Sequence, residues 1–425
     1  MNLLKNRNYL LLLLGRVVTN IGDSLYYVAS MWLVYKLGDN MFYSGLAGFL
    51  TLLPTALQFI TGPFVDRWPA RKTLVTTQFL QTFILLTIPI AHYFHVLTVQ
   101  LVLVIMPVAS FIQQFAYPMQ TKTLPVILKK EELIKGNSYF AFAYQGIDLV
   151  FNAVSGILVA IFGIFLLYIA DSVIFATAAI LFAFLSIPHR KEKLGKRDWK
   201  NKTSAYFSEL NEGFTTVFRS LIAIFLIGSV IANFCIGGAM AVLPAFADHH
   251  GGPMYYGFFL AAISIGSLVG ALSASWMGTF RIGGFTIIAF CIGAVCWLFA
   301  ALLPYTWMAL ICFAFAWIPI GGTNVIFAAS LQNLIPHHSL GRITTVSTSL
   351  SAVAMPIGSL TGGYVASVTS STLTIACTGM GLLVVSTVWL LHPRLRSLPK
   401  VEMLSAEMIG LEMSLHANEG LSEKN

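Results

Sequence analysis

Charge is what this chain is short of. Only 10% of its 425 residues are charged, while 57% are hydrophobic and the mean hydropathy is +0.80. Soluble globular proteins carry about 25% charged residues, so an ordinary soluble domain is excluded. Cysteine is scarce as well. The five (Cys235, Cys291, Cys296, Cys312 and Cys377) all fall in the second half, at spacings that fit no zinc or redox motif, and read as small packing residues. No Gly-x-x-x-x-Gly-Lys loop occurs, which excludes transport driven by ATP on this chain, and no cofactor is implied. No His/Asp/Ser or metal constellation emerges, which argues against an enzyme. Asp248, His249 and His250 come nearest to a metal set, but three adjacent loop residues lack a defined ligand geometry. The opening MNLLKNRNYLLLLLGR has no small-residue cleavage site and reads as a retained first helix.

What the chain has in abundance is long apolar runs. About 20 apolar residues cross the ~30 Å hydrocarbon core as a helix. Only helices or closed barrels satisfy the backbone in lipid, and runs of this length exclude a barrel. Twelve spans are predicted, near 9–37, 42–65, 73–94, 98–121, 137–162, 165–187, 219–247, 254–279, 283–303, 305–333, 343–367 and 370–391. The net charge of +8 is distributed unevenly around them. Twenty-three of the 25 lysines and arginines lie on the side of Met1, the exceptions being Arg16 and Lys36. By the positive-inside rule this places both termini in the cytoplasm, with the chain embedded in the cytoplasmic membrane of the cell. Bases spread over many short loops do not make a nucleic-acid surface. The lipid bilayer is the partner expected, and a monomer suffices.

The longest hydrophilic stretch, 189–214, sits near the midpoint and separates two blocks of six spans. The predicted organisation is a bundle over 1–188, a cytoplasmic linker over 189–218, a second bundle over 219–392 and a tail over 393–425. From Val401 that tail carries five glutamates and one lysine, and reads as a loose surface segment. The two blocks echo each other at an offset of about 211–213 residues: VVTN (17–20) with VIAN (230–233), and MFYSG (41–45) with MYYGF (254–258). Paired six-helix repeats of this kind underlie many secondary transporters, which bind a small molecule near the bilayer midplane.

Between the second and third spans stands GPFVDRWPARK (62–72). Gly62 would let two helices approach, and Asp66 could pair with Arg67, Arg71 or a helix end. Such a cluster serves either as a latch on the inner helix ends or as a topology anchor with a tight turn. Charges within the spans are fewer: Arg16, Asp23, Asp148 and Asp171. Arg16, Thr19, Asn20, Asp23 and Tyr27 share one helical face. Gln145, Asp148, Asn152 and Ser155 form a second stripe, and Gln113, Gln114, Tyr117 and Gln120 a third. Three polar stripes imply a shared wet interior, to which Asn233 and Asn324 contribute from the second half. Asp23 and Asp148 are the candidate proton carriers; their alternatives are structural hydrogen bonds or pairing with Arg16. Arg16 reads as a snorkelling residue or a gating partner. Asp171 is expected near the outer end of its span, close to water. Among the second-half aromatics, Phe234, Phe258, Phe259, Trp297, Phe313, Phe315, Trp317 and Phe327 could pack, face lipid or touch substrate.

GPFVDRWPARK resembles the signature loop of the Major Facilitator Superfamily. LGRITTVSTSLSAVAMPIGSLTGGYVA (340–366) is similar to the eleventh-helix region of its macrolide-efflux branch, which includes siderophore exporters, and NIGDSLYYVASMWLV (20–34) resembles that branch's first helix. The resemblance implies an all-α membrane protein of twelve helices in two pseudo-symmetric six-helix bundles. It also implies export of drugs or metabolites, usually coupled to protons. On this pattern Gly62, Asp66, Arg67 and Arg71 form the loop motif, and Gly341, Arg342, Pro356, Gly358 and Gly362 the second-half motif. The chain departs from the family where many proton-coupled members carry a fourth-helix arginine: none lies between Thr98 and Thr121. The expected activity is export of amphipathic, macrolide-like compounds by alternating access. A siderophore or endogenous metabolite is the alternative cargo, and a non-transporting sensor or immunity protein the alternative class.

Overall fold

Helix is the only regular secondary structure among the described residues, which in this computed structural model are 3–58, 68–187, 213–335 and 337–410. The spanning helices are α1 (Arg7–Leu37), α2 (Phe42–Ala56), α3 (Ala70–Tyr93), α4 (Val99–Ile127), α5 (Leu133–Phe162) and α6 (Ile164–Ala183). In the second half come α7 (Ile222–His249), α8 (Pro253–Met277), α9 (Ile282–Leu302), α10 (Thr306–Leu334), α11 (His337–Val368) and α12 (Ser371–Leu391). Each predicted span has its helix. Ten are long and apolar enough to qualify by composition alone. The other two are α1, diluted by its polar stripe, and α2, of which 15 residues are described. Several helices outrun the predicted spans; α4 continues to Ile127. Hydropathy registers only the part in hydrocarbon, whereas the backbone ladder continues into the polar zone.

Local chemistry sets the ends. The Asn6 side chain accepts from the backbone of Asn8 and Tyr9 and so starts α1. Thr98 does the same for α4 through Leu101. Gly163, at φ 78°, joins α5 directly to α6, a backbone conformation that costs glycine nothing. Prolines interrupt α4 at Pro107, Pro118 and Pro125, each removing one amide donor from the ladder.

The chain divides into two compact units. The first is Met1–Glu192 with Met240–Ala261 and Gly363–Val368; the second is Lys193–Ala239, Ala262–Gly362 and Thr369–Asn425. The first unit therefore contains the end of α7, the start of α8 and the end of α11. Its own centre is α1, which buries Leu12, Leu25, Val28 and Met31. Gly15 and Gly22 bring α1 against α6: Gly15 lies on the Phe182 ring, and a Cβ on Gly22 would sit 2.9 Å from Phe175 and from Asp171 Oδ1. Polar ties fix the ends near the N-terminus. Tyr9 donates to Gly136 O at 3.0 Å, Asn6 to Ile127 O at 3.0 Å, and Asn8 exchanges two bonds with the Ser186 backbone at 2.9 and 3.0 Å. Each such bond contributes about 0.5–1.5 kcal/mol.

The second unit uses small residues as seams. Gly266 and Gly270 of α8 touch backbone carbonyls of α10 at Ala314 and Ile318, and Gly358 of α11 touches that of Phe234 in α7. Trp297, Phe313 and Trp317 form its aromatic core, with centroids 4.8 and 5.9 Å from Trp297, whose indole donates to Ile375 O at 2.9 Å. Trp297 is 1% and Phe313 0% exposed, so these two pack rather than line a path. Phe259, in the first unit, is also fully buried. Just ahead of Val401 the chain is seated on the second unit. Ile282 and Gly283 at the start of α9 donate to Pro399 O and Leu398 O at 3.1 and 3.4 Å, and Leu395 is buried. Leucines spaced among the charges seat the segment on the helix ends.

Candidate functional site

Three helices of the first unit converge on the α1 stripe. Arg16 is 3% exposed. Its guanidinium lies 4.2 Å from the centroid of Tyr117 (α4) and 4.5 Å from that of Tyr144 (α5), and those rings stack on each other 5.2 Å apart. Nη1 donates to Gln120 Oε1 at 3.4 Å, while Nε and Nη2 have no partner among the described residues. Arg16 does not snorkel. At its level α1 is surrounded by protein, so the stem has no lipid to follow, and a planar, weakly hydrated guanidinium settles on aromatic faces instead.

One turn further, Asn20 is 1% exposed and donates to Ala143 O and Tyr144 O at 3.2 and 3.0 Å, tying α1 to α5. Asp23 follows, half-buried, on the side of α1 that faces Gln113 of α4. Ser24 donates to Asp148 Oδ1 of α5 at 3.0 Å, and Asp148 is half-buried. Arg16 lies close enough to both acids to feel their charge. Two carboxyl groups, one guanidinium and a tyrosine pair thus meet inside the hydrocarbon-spanning part of the chain, where a lone ion is costly and a cluster of both signs is not. Such a cluster can hold a charged ligand group, or pass a proton while changing partners.

Other stripe members separate. Gln114 turns away from Gln113 and bonds Thr55 Oγ1 and Ser110 O at 3.1 and 3.2 Å, an α4–α2 tie, because adjacent helical residues point about 100° apart. Tyr27 and Asn152 are half-buried on α1 and α5. In the second unit Asn233 bonds its own helix at Ser229 O, 2.9 Å, and Asn324 is exposed on α10. Gly62, Asp66 and Arg67 lie outside the described residues, as do the side chains of Gln145 and Arg342. Arg71 is exposed on the first turn of α3 and donates to Ala183 O at the end of α6. Asp171 is not near water: it is 1% exposed, and neither carboxylate oxygen has a partner among the described residues. Gly22 is the reason, since without a side chain there α1 closes over it.

Sequence reasoning missed Ser24 and Tyr144, whose roles depend on which helices adjoin α1. It also missed Gln78 and Gln81 of α3, each 1% exposed; their i, i+3 spacing beside Thr77 and Thr82 was the available signal. Asp248, His249 and His250 do not converge as ligands. Asp248 engages Lys36 and Tyr35, and His250 packs on Phe246 and Phe259 at 4.8 and 5.5 Å. Burial there pushes the His250 imidazole below its ordinary pKa.

Apolar helices long enough to cross a bilayer, with a charged and hydrogen-bonded interior, define a multi-pass membrane protein. The chain matches the Major Facilitator Superfamily over residues 12–359 and belongs to that family. It is 24% identical to the multidrug efflux pump Tap of Mycolicibacterium fortuitum, over 92% of this chain and 96% of that one. It is also 24% identical to macrolide efflux protein A of Streptococcus pyogenes, over 81% and 85%. Among solved structures, a bacterial homologue of the iron transporter ferroportin in an inward-facing state superposes with a TM-score of 0.67 at 14% identity, over 92% of this chain and 99% of that one. At that identity the likeness concerns the fold alone.

Proposed function

We propose that the protein exports amphipathic, macrolide-like compounds across the cytoplasmic membrane by alternating access, coupled to proton entry. The observation that carries this reading is the cluster of Arg16, Asp23 and Asp148 between α1, α4 and α5. An acid beside a movable guanidinium can bind a proton on one face and lose it on the other as the guanidinium approaches. The tyrosine pair supplies the flat apolar surface that a bulky amphipathic ligand needs. Efflux names among the relatives support the direction of transport. Both termini are read as cytoplasmic, the chain as a working monomer, and Gly62, Asp66, Arg67, Arg71 and Arg342 as the inner gating set. The decisive experiment compares accumulation of a panel of dyes and macrolides in cells with and without the protein, before and after an uncoupler. Equal accumulation of every compound would refute drug export.

One observation favours a second cargo. The two unpartnered nitrogens of Arg16 suit a carboxylate or phosphate, as an acidic metabolite or siderophore would bring. Competition between such an acid and a dye in the same assay separates the two readings.

A further inference from the structure

The second unit contains a cavity of about 60 Å³ between the first turns of α7 and α9, the last turns of α10, and Ser347 of α11. The segment after α12 closes it with Leu395, Leu398 and Leu404. Gly283 of α9 holds that segment in place, lying directly on the carbonyls of Leu395 and Arg396. Phe225 and Phe327 stack at 3.7 Å on one wall, and fully buried Trp389 of α12 stands edge-on behind them. Every lining residue is apolar except Ser330 and Ser347. Ser330 donates to Ile326 O at 2.8 Å. Ser347 is 8% exposed, and its Oγ has no partner among the described residues. The space is several times the ~10–15 Å³ that one water needs, and each water would need two to four polar partners. One free hydroxyl cannot supply them, so the guest that fits is apolar.

The rim carries charge of one sign. Arg219, Arg281, Arg394, Arg396 and Lys400 are exposed and stand next to lining positions in the chain. None of them forms an ion pair among the described residues, although Glu402 is exposed on the same segment. We propose that the cavity takes an acyl chain of an anionic phospholipid, whose phosphate the rim bases hold. The chain fills the apolar space, and Ser347 Oγ donates to an ester carbonyl of the lipid. Each base near an anionic membrane surface favours binding by roughly fivefold, so five bases select an anionic head over a zwitterionic one. Ordinary surrounding lipid lies against exposed helix faces, such as Ile288 and Ile292 of α9; this chain lies inside the unit. The segment after α12 is thereby part of a lipid site, and the lipid in turn pins the segment. In the proposed orientation this end meets the inner leaflet, from which the lipid would enter.

The test places the full chain in nanodiscs of phosphatidylcholine with a trace of phosphatidylglycerol that carries a photoreactive diazirine in one acyl chain. After illumination, labelled residues are mapped by mass spectrometry. Cross-links are expected on 221–225, 326–331 and 395–404, in addition to those on Ile288 and Ile292. Replacing the bulk lipid with unlabelled phosphatidylglycerol should lower the cavity cross-links at least tenfold relative to those on Ile288 and Ile292. Ser347→Phe fills the space and should remove the cavity cross-links about tenfold, with Ile288 and Ile292 unchanged. Arg394→Gln with Arg396→Gln should reduce the effect of unlabelled phosphatidylglycerol to about twofold. Cross-links confined to Ile288 and Ile292 would overturn the site, as would cavity labelling that Ser347→Phe leaves intact. If Ser347→Phe fails to insert, an undiminished effect in the arginine pair overturns it instead. Displacement by oleate but not by phosphatidylglycerol would assign the cavity to a free fatty acid and overturn the phospholipid. Nanodiscs present the same lipid to both faces, so an error of orientation, which cysteine labelling at Asp39 and Lys193 reveals, leaves this result standing.

Discussion

At the scale of single residues, the α1 stripe makes the sharpest demands. Asp23 and Asp148 stand on different helices of the cluster, and Asp148 accepts a bond from Ser24. Asp23→Asn should cut uncoupler-sensitive efflux by about 10²-fold while sparing substrate binding and energy-independent exchange. Asp148→Asn should impair it less; the reverse order would exchange their roles. Arg16→Lys keeps the charge but loses the flat face that lies on Tyr117 and Tyr144. It should lower stability by about 1–2 kcal/mol, seen as a reduced Tm in detergent, and weaken transport despite conserving charge. The sequence made the stripe legible through helical spacing. It could not tell Gln113 from Gln114, because only packing decides which of two neighbours faces α1 and which faces α2. Nor could it tell that Asn20 is committed to the α5 backbone.

At the scale of elements, helix number and order were legible, because hydropathy follows directly from the solvent each segment must tolerate. Helix contacts were less so. Gly22 looked unremarkable in sequence, yet it determines how closely α1 lies over Asp171 and Phe175. Gly22→Leu should cost about 1–3 kcal/mol as α1 and α6 are forced apart, measurable as a lower Tm with membrane insertion unchanged. An unaltered Tm would mean that α6 shifts freely.

For the whole molecule, the two-block organisation followed from one hydrophilic stretch and weak repeats. The two compact units cut across it, since helix ends contributed by the second block belong with the first. The charge distribution makes a claim about the whole chain: Lys193 and Lys400 inside, Asp39 and Asp248 outside. Single cysteines at these positions, in a chain lacking the native five, should react with an impermeant reagent in intact cells only at the last two. Reaction at position 193 would refute the twelve-span arrangement.

The prolines of α4 carry a mechanical consequence. Eleven residues separate Pro107 from Pro118, and eighteen separate it from Pro125. At 3.6 residues per turn these intervals are close to three and five whole turns, so all three prolines stand on one side of the helix. Kinks at proline share a direction when they share a side, and their angles add instead of cancelling. Helix α4 would then bend more readily in one plane than in the perpendicular one, with Tyr117 and Gln120 beside the middle proline. A change in its curvature would swing Tyr117 and Gln120 past Arg16, and α4 can serve as the spring that couples the charged cluster to the shape of the bundle.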